Sequence, residues 1–273
     1  SLPQGHSLVA DSFAGPSIEC WYCLPKNPSS SYDFAELLHD SVSLRLRSDV
    51  PIGSCLSGGL DSSAVVMLAS SINNSSSSFR SIHARSIDPE VDESNFASLV
   101  ADIAGSQLYT VTPTADQFWS NIAEIVRIQD EPFGSPSICM QYFVMQEARS
   151  IGCPVMLDGQ GADEILLGYS KFMVLALSHA WQSGGIPRLL RTLLSSWSAN
   201  ASLTPRTTLQ YLVGTLLSPL RTARVSRRLR FLYLSLNPVR TLYDCVSSSA
   251  SDCRRTQLLE LFQTSLPALL RYE

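Results

Sequence analysis

The sequence predicts an α/β protein: a parallel sheet flanked by helices, followed by a helical C-terminal part. Three observations carry that expectation. Between residues 33 and 171, short apolar runs alternate with longer segments of helical spacing. Two of those runs end in glycine-bearing polar knots, SGGLDSS at 57–63 and DGQGADE at 158–164. Beyond Tyr169 the strand signals stop. Alternation at this pitch implies parallel strands with helices on both faces, and ligands in such sheets sit at the carboxyl ends of strands.

The elements follow in order. Residues 1–32 are rich in Pro, Ser and Gly and read as a linker arm. After Asp33, a fair N-cap, the spacing of Phe34, Leu37, Leu38, Val42 and Leu46 predicts a helix, which Pro51 separates from the next run. Ile52–Leu56 reads as a buried strand and Ser62–Ile72 as a helix ended by the turn-prone NNSSSS. Phe79–Arg85 is the next strand, Glu93–Ala104 a helix and Gln107–Val111 a strand. Ala115–Ile128 and Ser137–Ser150 read as helices, and Pro154–Leu157 as the strand entering DGQGADE. Residues 33–171 thus form the α/β core. In 172–273, Phe172–Trp181, Pro187–Trp197, Thr207–Leu217, Arg221–Leu234 and Thr256–Leu270 all look helical.

The 273 residues, 45% of them hydrophobic, suffice for one large domain with an appendage. With no run of 18 apolar residues, a transmembrane helix is not expected. The opening SLPQGHSLVADSF lacks the basic-then-apolar order of a signal peptide. Seven cysteines are spaced irregularly; Cys20 and Cys23 make a CxxC, but structural zinc wants a second close pair. Reduced thiols in the cytoplasm are the expectation. The net charge of −4 hides an asymmetry: residues 1–171 hold 8 Lys and Arg against 20 Asp and Glu, and residues 172–273 hold 12 against 4. Only Lys26 and Lys171 are lysines.

That scarcity shapes the chemistry of the first knot. Glycines let backbone N–H groups approach anion oxygens, and a helix start supplies the positive dipole end. A mononucleotide loop would add Gly-Lys-Ser/Thr, yet no lysine lies within twenty residues. The knot offers hydroxyls and a carboxylate instead, and a carboxylate beside phosphates calls for a cation between them, which makes Asp61 a natural Mg²⁺ ligand. The same residues also suit a plain Gly-Gly turn before a capped helix. The second knot repeats the pattern, with Asp163 the possible partner of Asp61 on one Mg²⁺.

SDVPIGSCLSGGLDSS (48–63) together with LDGQGADEILLGY (157–169) resembles the synthetase domain of glutamine-hydrolysing asparagine synthetases, whose SGGLDSS is a pyrophosphate loop of the N-type ATP pyrophosphatases. VDESNFA (91–97), DEPFG (130–134) and LPALLRYE (266–273) are similar to its bacterial members. The resemblance implies the adenine nucleotide alpha-hydrolase-like fold, with ATP and Mg²⁺ required. It also implies adenylation of a carboxylate, normally that of aspartate, with loss of pyrophosphate. Ammonia from a glutaminase domain then attacks. By position, Ser57, Gly58, Gly59, Asp61 and Ser62 would cradle the pyrophosphate part of ATP. Cys55 and Ala84 would border the adenosine, Gly159 would approach the AMP part, and Asp61 and Asp163 would bind Mg²⁺.

Departures qualify this picture. Gln160 stands where the archetypes have Glu and cannot ionise, which puts aspartate as acceptor in question. Leu166-Leu167-Gly168-Tyr169 replaces an aromatic-Gly-Gly-Tyr. SLPQGHSL resembles the segment that follows the glutaminase domain, and the segment and lysine expected after LPALLRYE are not matched, so the sequence reads as a central fragment with nucleotide binding at best. A homodimer is an option for the full-length protein. The arginines of 221–230 read as a solvated face or a domain contact, without the interleaved aromatics of a nucleic-acid or membrane site. His39, His83 and His179 read as core or surface residues. Asp130-Glu131-Pro132 fits either the acceptor side of the cleft or a structural loop. Two further readings compete: a relative that uses an internal amine, such as a β-lactam synthetase or peptide cyclase, and a nucleotide-binding scaffold without catalysis.

Overall fold

The computed structural model describes residues 2, 5–11, 15–23, 33–73, 79–130, 133, 136–169, 172–199, 253–262, 266–267 and 270. The chain clusters into two compact units, Ser1–Gly159 and Gln160–Tyr272.

The first unit opens with a feature absent from the sequence reading. Strands β1 (His6–Asp11) and β2 (Gly15–Cys20) pair antiparallel, with His6 opposite Cys20 and Leu8 opposite Ile18. Leu8, Val9 and Ile18 are each more than half exposed, so the hairpin lacks the buried face that would mark it in a hydrophobic pattern. Part of the arm of residues 1–32 is therefore regular structure.

The α/β body follows as expected. Helix α1 (Phe34–Arg45) leads to β3 (Ile52–Cys55), α2 (Leu60–Ile72), β4 (Arg80–Ala84), α3 (Ser94–Ala104), β5 (Gln107–Val111), α4 (Ala115–Gln129), α5 (Ser137–Ser150) and β6 (Val155–Leu157). The four strands of the body are parallel in the order β5-β4-β3-β6. The chain thus steps outward from β3 to β5, then returns to the other side of β3. That reversal places a switch point between β3 and β6, where open α/β sheets bind their ligands.

Side chains alternate along each strand and meet helices on both faces. On one face, Val42 of α1 and Ala69 of α2 pack with Phe79 and Leu157, and Val66 of α2 packs with Leu56, Ala97 and Ala101. On the other, Ile82 packs with Val144 and Ala148 of α5, flanked by Cys55, Ala84, Tyr109, Val111 and Met156. Ends are set locally. Thr114 and Gln117 form a reciprocal capping box at the start of α4, and Gly105 (φ 64°) ends α3 in the left-handed conformation.

The second unit contains α6 (Ala162–Leu166), α7 (Met173–Ala199) and α8 (Cys253–Phe262). The two helices expected over 172–197 run on as α7, interrupted at Gly185 (φ 60°, ψ −152°) just before Pro187. Thr207–Leu217 and Arg221–Leu234 lie outside the described residues, as do Glu131 and Pro132.

Ile82, 1% exposed in the middle of the sheet, tests this layering. Ile82→Ala should destabilise the protein by about 2–5 kcal/mol, read as a lower midpoint in chemical denaturation.

Candidate functional site

The first knot lies directly beyond β3. Leu56 extends the strand by one more bond, its N–H donating to the Ile82 carbonyl at 2.9 Å. Its own carbonyl accepts from Nδ1 of His83 at 2.8 Å. His83 is buried, and its Nε2 meets the Ser94 hydroxyl at 3.2 Å. Ser94 in turn donates to Asp92, and Arg85 bonds Asp92 at 3.2 Å. The Ser94 hydroxyl and N–H, followed by Arg85, hold the Asp92 carboxyl below its usual range. A polar chain thus runs from the root of the loop into the VDESNF segment. Of the core and surface roles open to His83, burial selects the core, but its partners were not readable: Leu56 and Ser94 are distant in sequence.

Beyond Leu56 the loop fastens itself. The Ser62 hydroxyl accepts from the Ser57 N–H at 3.2 Å and lies 2.9 Å from the Ser57 hydroxyl. The Gly59 N–H donates to Ser57 Oγ at 3.1 Å, and Ser63 Oγ donates to the Gly59 carbonyl at 2.6 Å. Ser57 and Ser62 therefore shape the loop with their side chains. Gly58 takes φ 92°, and a Cβ on it would stand 2.9 Å from both the Ala97 nitrogen and Phe96 Cβ. The loop is wedged against the start of α3, which gives the VDESNFA motif a structural purpose.

Helix α2 begins at Leu60 with Gly59 as its N-cap and no side chain capping it. Helix starts leave their first N–H groups without intrahelical partners. Among the described residues, no hydrogen bond occupies the N–H groups of Leu60, Asp61 and Ser62 or the Asp61 carboxylate. This half-polar turn combines positive dipole, free donors and one acid.

The second knot reaches this turn from β6. Parallel pairing sets Ser54 opposite Leu157, and the buried Ser54 hydroxyl donates to the Leu157 carbonyl at 3.2 Å. Two residues later, a Cβ on Gly159 would lie 3.0 Å from the Ser62 nitrogen and 3.2 Å from Asp61 Cβ. The structure thus brings Gly159 together with Asp61 and Ser62. Cys55 and Ala84 end neighbouring strands and border one cluster on the α5 face.

Gln160 and Asp163 belong to the second unit. There Gly161 (φ 91°) opens α6 and packs against Leu266 of the LPALLRYE segment, at 3.3 Å from a would-be Cβ. The two acids of the knot separate in role. Glu164 is fully buried and accepts from the Tyr169 hydroxyl at 2.7 Å. Asp163 is half-buried and folds over Gly168, whose N–H donates to the Asp163 carbonyl at 2.9 Å. Leu167 carries φ 59°, a conformation usually left to Gly.

The asparagine synthase family model matches residues 33–272. The chain belongs to the asparagine synthase family. It is 36% identical over 147 residues to a putative glutamine-hydrolysing asparagine synthetase of Mycobacterium tuberculosis, covering 54% of this chain and 22% of that one. It is 34% identical over 137 residues to asparagine synthetase 1 of Bacillus subtilis, covering 50% and 21%. With asparagine synthetase 2 of Arabidopsis thaliana it shares 31% identity over 186 residues, covering 63% and 32%. The chain therefore matches a fifth to a third of the length of these relatives. The parallel sheet with helices on both faces agrees with the α/β nucleotide hydrolase-like class that the asparagine synthase motifs imply. Among the described residues, no helix is long and apolar enough to cross a membrane.

Gly58 carries the loop's fit against α3. Gly58→Ala should destabilise the protein by about 1–3 kcal/mol, from the left-handed backbone and from contact with Ala97 and Phe96. Thermal unfolding of the two proteins side by side measures it.

Proposed function

We propose that this protein is the synthetase part of an ATP-dependent amidoligase of the asparagine synthase type, in which a carboxylate is adenylated, pyrophosphate leaves, and ammonia forms the amide. The observation that carries the reading is the first turn of α2, with Gly159 close against it at the switch point of the sheet. Membership of the asparagine synthase family supports the reaction class.

The residues present fit the groups this reaction needs. The N–H groups of Leu60, Asp61 and Ser62 suit phosphate oxygens, and Gly159 brings bare backbone close against the same turn. Among the described residues, no three His, Cys, Asp or Glu side chains gather to hold a metal. Mg²⁺ binds through one or two carboxylates and takes its other ligands from phosphates and water. Asp61 would hold it, and the family motif assigns Asp163 the same duty. Bound there, Mg²⁺ supplies charge neutralisation for the departing pyrophosphate.

The chain's own part is positional. The serine-fastened loop holds the α2 donors in place before substrate arrives, so the site needs little reorganisation as charge moves onto the leaving group. Cys55 and Ala84 would border the adenosine from the ends of β3 and β4. Gln160 offers an amide where the archetypal glutamate offers a charge, so it can orient a substrate but takes up no proton at neutral pH. Aspartate is the acceptor that the family motif implies, and Gln160 is the residue that puts it in question. The ammonia would come from a glutaminase domain.

Pyrophosphate exchange into ATP, measured across a panel of carboxylic acids, tests the proposal. Exchange that depends on one acid and falls about 10²-fold or more in Asp61→Asn is the expected result. ATP binding without exchange for any acid would reduce the protein to a nucleotide-binding scaffold, and unchanged exchange in Asp61→Asn would remove Asp61 from the metal site.

A further inference from the structure

The CxxC of the hairpin has a geometry that its spacing alone did not disclose. Cys20 ends β2 and Cys23 lies three residues on, and both are exposed. Their sulfurs are 3.2 Å apart, in hydrogen-bond contact. The intervening turn is tied to one atom, because the N–H groups of Trp21 and Tyr22 both donate to the Gly5 carbonyl, at 2.9 and 3.1 Å. Gly5 itself takes φ 67°, and a Cβ on it would fall 2.2 Å from the Tyr22 carbonyl oxygen. That contact is far inside van der Waals distance, so only glycine lets the chain turn back on itself here. The two thiols are thus brought together by the backbone.

We propose that Cys20 and Cys23 form a dithiol–disulfide couple that exchanges with small-molecule disulfides of the glutathione class. This site is separate from the nucleotide reading and does not depend on it. Cys20 Sγ also lies 3.5 Å from the Tyr22 carbonyl, and either thiol can donate in the pair. The hydrogen bond to Cys20 and the charge of its thiolate raise the Cys23 thiol above its ordinary value. Cys20 serves as the attacking thiolate and Cys23, in contact with it, as the resolving thiol. In the first step, the Cys20 thiolate displaces one thiolate from the small disulfide and forms a mixed disulfide. In the second, Cys23 loses its proton to water, attacks Cys20 Sγ and expels the other thiolate. Two protein thiols become one disulfide, and one small disulfide becomes two thiols. Holding the sulfurs in contact makes the second step intramolecular, which favours closure over lasting glutathione adducts.

The first tryptic site is Lys26, so residues 1–26 carry both thiols on one peptide. The protein is equilibrated with graded mixtures of glutathione and glutathione disulfide, quenched by alkylation, and mapped by mass spectrometry. The wild type should yield this peptide lighter by two hydrogens, unalkylated and free of glutathione. Cys23→Ser should retain one glutathione on Cys20. Gly5→Ala, with both thiols present, should raise the ratio of mixed to internal disulfide about tenfold or more at the same glutathione ratio. Circular dichroism checks that each variant keeps its fold. Separate alkylation or separate glutathionylation of the two cysteines in the wild type would overturn the proposal, as would zinc retained through both thiols in the reduced protein.

Discussion

The backbone of Gly159 lies so close to the first turn of α2 that a Cβ would stand 3.0 Å from the Ser62 nitrogen. Parallel pairing of β3 with β6 creates that approach, and the Ser54 hydroxyl braces it through the Leu157 carbonyl. Two chain segments a hundred residues apart therefore end side by side, one as a helix start and one as bare backbone. The strand order puts this meeting at the reversal of the sheet, the position at which open α/β sheets bind ligands. A Cβ at 159 would crowd the Ser62 nitrogen and Asp61.

The loop between β3 and α2 manages an electrostatic problem without lysine. Its hydroxyls are spent on internal bonds, and the free donors belong to the backbone of α2. Asp61 adds a negative charge to the same turn, tolerable at a helix N-terminus and useful there only if a cation joins it to phosphates. The His83–Ser94–Asp92–Arg85 chain holds the root of the loop, and the wedge of Gly58 against α3 holds its tip. Rigidity in such a loop favours binding of a preformed kind, since little ordering remains to be done when the anion arrives.

Much of the first unit was legible because burial imposes periodicity. The runs Ile52–Leu56, Phe79–Arg85 and Gln107–Val111 are strands, give or take a residue, since their apolar faces meet helices on both sides of the sheet. The β1–β2 hairpin escaped because neither face is buried, so HSLVAD and GPSIEC carry no signal beyond their composition. At the site, glycine and acid spacing pointed to the two knots, but the division of labour within each knot depends on contacts. Nothing local distinguishes Asp163 from Glu164, yet one is half-buried and the other is sealed against Tyr169. The hydrogen bonds by which the Ser57 and Ser62 hydroxyls shape the loop were not readable from spacing. His83 carried no motif at all, because its partners come from another strand end and another helix.

The central claim is that the close approach of Gly159 to α2 forms a nucleotide phosphate site. Calorimetric titration of the wild type and Gly159→Ala with Mg²⁺–ATP tests it, with circular dichroism to verify that both are folded. The account predicts binding by the wild type and at least about tenfold weaker binding by the variant, a difference of about 1.4 kcal/mol. Equal affinity in a folded Gly159→Ala protein would contradict it.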